Sequence, residues 1–176
     1  MAFQRKRSGC DDSDLSRTPE EWDERARGLL LARLTRGPRT KVQLARMLAE
    51  KGVPEEVALP LLDRFQEVGL IDDAAYARAF SRDRRETRGL AKSALKRELG
   101  QAGVAVETIE EALDEYSSED DLELAVKLVA KRWASLAKLD RDARYRRLMG
   151  YLGRRGFSGG TITAAIRAVE SESLPD

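Results

Sequence analysis

The sequence predicts an all-α protein: three tandem three-helix units, about nine helices in all, arranged as an elongated, curved array. Three observations carry this expectation. Aromatic residues make up only 6% of the 176 residues, Val and Ile are sparse, and Ala, Leu, Glu and Arg are abundant. The abundant residues lose little freedom in a helix, whereas strands favour β-branched and aromatic side chains. Apolar residues also recur at helical spacing between clear start and stop signals. Finally, the chain repeats itself. A shift of 51 residues carries Leu44, Leu48, Gly52, Val53, Leu62 and Phe65 onto Leu95, Leu99, Gly103, Val104, Leu113 and Tyr116. A further 53 carries that set onto Leu148, Leu152, Gly156, Phe157, Ile166 and Val169. Each unit then reads as one helix, a loop, and a two-helix hairpin turned at a glycine that an apolar residue follows. A unit of roughly 45 residues is near the lower limit for standing alone, so the three are expected to lean on one another.

The elements follow in order. Residues 1–17 mix charge, Ser and Gly without periodicity and read as a disordered tail. Thr18-Pro19-Glu20-Glu21 opens a first helix as a capping box, with Trp22, Ala26, Leu29, Leu30 and Leu34 as its stripe. Gly37-Pro38 ends it. Thr40 and Gln43 form a second box ahead of Leu44, Met47 and Leu48, stopped at Gly52. Pro54 begins a third helix through Val57, Leu61, Leu62 and Phe65, and Pro60 inside it is expected to kink or break it. Asp72 or Asp73 caps a helix bearing Tyr76, Ala77 and Phe80. Gly89 separates that helix from one with Leu95 and Leu99, and Ile109, Ala112, Leu113 and Tyr116 follow. Ser118 is read as the cap of a longer helix with Leu122, Ala125, Val126, Val129 and Trp133. Asp140 caps the next, with Tyr145, Leu148 and Leu152, and Ser158 precedes the last, with Ile162, Ala165, Ile166 and Val169. The unit boundaries are then 18–71, 72–117 and 118–172. Tyr76, Phe80, Trp133 and Phe157 fall on apolar stripes and read as core.

Composition removes whole classes of chemistry. There is no histidine, so His-dependent triads, His-ligated metals and imidazole acid–base catalysis are out. The single cysteine, Cys10, allows no internal disulfide and no multi-cysteine zinc site. No apolar run approaches the roughly 20 residues that cross a bilayer. The first ten residues, MAFQRKRSGC, lack the apolar core of a secretory signal. No nucleophile pattern accompanies the many carboxylates. The expectation is a soluble, cytoplasmic protein with no membrane partner, metal, cofactor or enzymatic activity.

Charge is balanced overall and segregated locally. There are 32 Lys and Arg against 31 Asp and Glu, a net charge of +1. Between Arg25 and Lys51 stand eight bases and one acid; between Arg82 and Arg97, seven bases and two acids. From Glu98 to Val126 there are ten acids and no base, and Lys127 to Arg155 returns to base. The central block offers a candidate patch of Arg82, Arg84, Arg85, Arg88, Lys92 and Lys96. Arg144, Arg147, Tyr151 and Arg155 form a second basic row containing one aromatic ring. Such patches contact phosphates or an acidic protein surface, or else merely form solvated rims and salt bridges.

One segment points to a known family. Val68-Gly69-Leu70-Ile71-Asp72-Asp73-Ala74-Ala75-Tyr76-Ala77-Arg78-Ala79-Phe80, the basic residues and Gly89 after it, and Glu98-Leu99 ahead of Gly103-Val104 resemble the RecX family. Arg154-Arg155-Gly156-Phe157-Ser158 leading into Ile162 adds a third element in the expected order, so the likeness spans roughly residues 25–170. The resemblance implies three tandem three-helix bundles in a regulator of the bacterial RecA recombinase. Such a protein lodges along the RecA–single-stranded DNA filament and suppresses strand exchange, ATP hydrolysis and co-protease activity. It also implies weak, non-specific binding to DNA, and offers no catalytic residues. The alternative is a non-sequence-specific DNA-binding protein that acts without RecA. Reading of a major groove by the third helix of the second unit is disfavoured, because Glu107, Glu110, Glu111, Asp114 and Glu115 make it acidic. With no heptad seam, a monomer is expected.

Overall fold

The computed structural model describes residues 17–172. Cys10 and all but the last residue of the expected tail lie outside them. Among the described residues nine α-helices follow one another: α1 (Pro19–Leu34), α2 (Lys41–Glu50), α3 (Glu55–Glu67), α4 (Asp73–Arg88), α5 (Lys92–Gln101), α6 (Val106–Leu113), α7 (Ser118–Trp133), α8 (Arg141–Gly153) and α9 (Gly159–Glu172). A single 3-10 turn, Ala134–Leu136, continues α7, and there is no strand among the described residues. This is the all-α class, in groups of three helices, that the sequence predicts. The chain divides into two compact units, Met1–Tyr76 and Ala77–Asp176, the division falling inside α4.

In the first unit, α3 packs on α1 and α2. Trp22, Ala26, Leu30, Leu44, Leu48, Leu62, Phe65 and Ile71 form its core. Both sequence-predicted capping boxes are present: Thr18 Oγ1 accepts from Glu21 N–H and Thr40 Oγ1 from Gln43 N–H, each box closed by the reciprocal bond. Pro60 does not break α3, which runs unbroken from Glu55 to Glu67. Its ring removes one bond, to the Glu56 carbonyl, and Glu56, Leu59 and Pro60 all lie on the exposed side, where water replaces it. Leu61, Leu62 and Phe65 hold the other side in the core.

The Asp72-Asp73 pair serves two helix starts. Asp72 Oδ1 accepts from Ala75 N–H at 2.7 Å and caps α4, while Asp73 Oδ1 accepts from Lys41 N–H at 2.9 Å, in the first turn of α2. Burial raises the Asp73 carboxyl above the usual range, even though that hydrogen bond and the Lys41 charge pull it down.

The second unit contains α5 packed on α6, and α9 packed on α7 and α8. Leu95, Leu99, Val104, Ile109 and Leu113 are buried in the first group; Val129, Leu148, Leu152, Phe157, Ile162 and Ile166 are buried in the second. The cap of α7 is Ser117, not Ser118: its side chain accepts from Asp120 N–H, and Asp120 closes the box. The Ser117 N–H and hydroxyl both donate to the Asp120 carboxylate and hold it below the usual range. Of the four aromatic rings read as core, Phe157 is buried, whereas Tyr76, Phe80 and Trp133 are half-buried.

The repeat has one physical origin. Gly52, Gly103 and Gly156 adopt φ of 75°, 84° and 88°. Each lets the next residue's N–H reach a carbonyl five residues back: Val53 to Leu48, Val104 to Leu99 and Phe157 to Leu152, at 3.0, 3.2 and 3.3 Å. This is a helix stop that glycine adopts without steric cost and that places an apolar residue back on the core. At Gly156 there is a further demand, because a Cβ there would sit 2.7 Å from Ala94 Cβ and 2.9 Å from Ala94 N. Gly153, three residues earlier in α8, has nothing within 4 Å of the equivalent position.

Two alanine substitutions should therefore have opposite signs. Gly156→Ala is expected to destabilise by more than the roughly 1–2 kcal/mol of the left-handed backbone alone. Gly153→Ala is expected to stabilise by roughly 0.5–1 kcal/mol. Urea unfolding followed by circular dichroism measures both, and equal effects would contradict the assignment.

Candidate interaction surface

The buried side of α4 within the second unit consists of two small residues, Ala77 and Ser81. Little apolar area attaches this helix, and arginines take over. Arg84 lies 4.7 Å from the Phe80 ring centroid, hydrogen-bonds Asp83 at 2.8 Å and reaches Glu98 of α5 at 3.5 Å. Arg85 donates to Asp121 Oδ1 of α7 at 2.6 Å and stacks 4.5 Å from the Tyr116 ring centroid. Asp121 also accepts from Lys92 N–H at 3.1 Å, and Lys92 Nζ donates to the Tyr116 carbonyl at 2.8 Å. Burial and the neighbouring Glu115 carboxylate raise the Tyr116 phenol above its usual range; Arg85 and Arg82 oppose them.

The second basic row is also drawn partly inward. Arg144 lies over Trp133 at 4.7 Å and donates to the Leu139 and Ala137 carbonyls. Arg155 donates from Nε to the Arg88 carbonyl at 2.9 Å, satisfying an acceptor at the end of α4, and also bonds the Tyr151 carbonyl. Its guanidinium lies 3.8 Å from the Tyr151 ring centroid, and Arg132 of α7 lies 4.0 Å from the same ring.

Two groups of the predicted residues are thus brought together: Arg85 with Lys92 around Asp121 and Tyr116, and Arg88 with Tyr151 and Arg155. Arg84 sits between α4 and α5, and Arg144 is turned away against Trp133. Arg82, Arg88, Lys96 and Arg147 remain exposed. Arg88 approaches Glu98 only to 3.8 Å, and the Lys96–Glu110 pair is more than half exposed on both sides. Exposed cations outside the two predicted patches include Arg132, Arg146 and Arg154. A signal for two of them was present. Leu148 and Leu152 mark the inward side of α8, and the side opposite carries Arg146, Gly150 and Arg154 at i, i+4 and i+8.

No helix among the described residues is long and apolar enough to cross a membrane, and no acidic or cysteine cluster among them could hold a metal ion.

The two kinds of ion pair separate energetically. The Arg85 and Asp121 side chains are 12% and 18% exposed. Asp121→Ala leaves Arg85 and Lys92 N–H without their acceptor and is expected to cost about 2–3 kcal/mol. Lys96→Ala breaks an exposed pair and is expected to cost under about 0.5 kcal/mol. Thermal and urea melts of the two variants distinguish them; similar losses would contradict the structural role of Asp121.

The chain is similar to known proteins in sequence and in fold. Residues 72–113 match the model of the RecX second three-helix domain, and residues 119–166 that of the RecX third three-helix domain. The regulatory protein RecX of Streptomyces coelicolor is 44% identical over 155 residues, covering 88% of this chain and 82% of the relative. That of Thermobifida fusca is 43% identical over 160 residues, covering 90% and 86%. Among solved structures, RecX from Lactobacillus salivarius superposes with a TM-score of 0.77 at 20% identity, covering 86% of this chain and 99% of that one. A second crystal structure of a regulatory protein RecX gives 0.74 at 25% identity, covering 91% and 79%. With both domain models in sequence order and such identity over most of its length, the chain belongs to the RecX family of regulatory proteins.

Proposed function

We propose that this protein regulates the RecA recombinase as an inhibitor, binding along the RecA–single-stranded DNA filament and suppressing strand exchange, ATP hydrolysis and co-protease activity. The observation that carries this reading is the 44% identity to a regulatory protein RecX across 88% of the chain. The mechanism is occupancy rather than catalysis: a monomer, without cofactor, lies where the second DNA strand or a moving protomer would be. The exposed cations Arg82, Arg88, Lys96 and Arg147 make contacts with the filament or its DNA. Arg84, Arg85, Lys92, Arg144, Tyr151 and Arg155 support that surface from within, through the bonds and stacks described above.

A second reading, DNA binding without RecA, is favoured by exposed arginines that have no acidic partner. It excludes groove reading by α6, whose Glu107, Glu110 and Glu111 are all exposed and repel phosphate.

Charge reversal at Arg82, Arg88 and Lys96 together is expected to raise the protein concentration that half-inhibits RecA ATP hydrolysis by on the order of tenfold, with helicity unchanged. RecA hydrolysis on single-stranded DNA, titrated with each protein and repeated with excess free DNA, reads this out. Unchanged inhibition rejects the contact assignment. Inhibition by the native protein that excess DNA fully relieves favours the DNA-only reading.

A further inference from the structure

From Ala143 to Val169 the chain carries six arginines, no lysine and no Asp or Glu. Three of the six, Arg146, Arg147 and Arg154, are exposed on the outward side of α8 and make no ion pair with any described residue. Gly150 stands among them, so no side chain rises above the helix between the flanking guanidiniums; the nearest atom to a Cβ there would be the Arg154 guanidinium, at 3.4 Å. Arg132 is held beside this face by its stack on Tyr151, one turn after Arg147.

We propose that the outward face of α8, formed by Arg146, Arg147 and Arg154 with Arg132 at its side, is a docking surface for the phosphate backbone of single-stranded nucleic acid. Four cations with no carboxylate partner within the described chain leave uncompensated positive charge, which a chain of phosphates neutralises with release of its counterions. The exclusive use of arginine fits phosphate, whose oxygens the planar guanidinium meets in a two-pronged bond. An acidic protein partner fits less well. Protein interfaces are anchored by an apolar or aromatic side chain at their centre; here Gly150 stands between Arg146 and Arg154, and the one ring beside them, Tyr151, is stacked on by Arg132 and Arg155. This deepens the reading of single-stranded DNA as a partner by naming the face that holds it, and it is independent of whether that contact causes inhibition.

The test uses the full chain and fluorescein-labelled oligothymidylate, followed by anisotropy over a range of NaCl concentrations without recombinase. The variant R146Q/R147Q/R154Q is compared with R36Q/R46Q/K51Q, which removes the same charge from exposed positions of the first unit. The α8 variant is expected to bind on the order of tenfold more weakly at low salt, and its slope of log K against log salt to fall by about 2. The control is expected to change little, and both to melt as the native protein does. Equal losses in the two variants, no loss in the α8 variant, or no binding by the native protein would overturn the proposal. Inhibition of RecA hydrolysis is measured in parallel. Loss of inhibition with DNA binding intact would assign the face to a protein partner and overturn the proposal while leaving the proposed function standing. Loss of DNA binding with inhibition intact would support the proposal and separate the two activities.

Discussion

The turn at Arg155-Gly156 rests against the start of α5 with no room for a side chain, and the second unit depends on that contact. α5 is preceded at its cap position by Ala91, whose methyl group cannot accept a hydrogen bond. Its acceptors come from elsewhere: the Arg155 carbonyl takes Ala91 N–H at 2.9 Å, and Asp121 of α7 takes Lys92 N–H. The Ser93 hydroxyl returns a bond to the Gly156 carbonyl at 2.6 Å. Ala91 itself is buried in the apolar cluster of α7, α8 and α9. On the other side of the connection, Gly89 lies so close to Leu128 that a Cβ would meet its methyl group at 2.9 Å. Two groups of three helices, each too small for a generous core, share one helix start and become a single body.

This arrangement explains why Arg84 and Arg85 of the central block point inward. A helix attached through alanine and serine gains little from apolar burial, so α4 is held by Arg84 on Phe80 and Glu98 and by Arg85 on Tyr116 and Asp121. Partly buried, charge-assisted bonds of this kind are worth more than surface pairs, and they are severe when broken on one side. The basic character of the surface then rests on the cations the fold does not use. They lie exposed on the outward sides of α4, α5 and α8.

Local rules made much of the fold legible. The capping boxes at Thr18 and Thr40, the glycine stops at 52, 103 and 156, and the apolar residues after them are set by neighbours within five positions, so the repeat could be read directly. Errors arose where a rule was right but its consequence was absorbed. Proline in α3 loses its bond on the wet side of the helix, and the cap before α7 shifted by one between two adjacent serines. The surface was less legible because counting charge does not reveal direction. Arg144 and Arg155 share a helical row with Arg147, yet Trp133, Tyr151 and the free carbonyls at Leu139 and Arg88 draw them inward. Those partners are tertiary, and no spacing within α8 announces them. Phasing α8 on buried Leu148 and Leu152 would have named Arg146 and Arg154 instead.

The dependence of the second unit on the α5 start is tested most directly by native-state hydrogen exchange of the unmodified protein. If that contact joins the groups, the amides of Ala91, Lys92 and Leu95 exchange only with the opening that also exposes Val129 of α7 and Ile166 of α9, at one common free energy. Exchange of the α5 amides at a clearly lower free energy, with α7 and α9 still protected, would show the two groups opening separately and contradict the account.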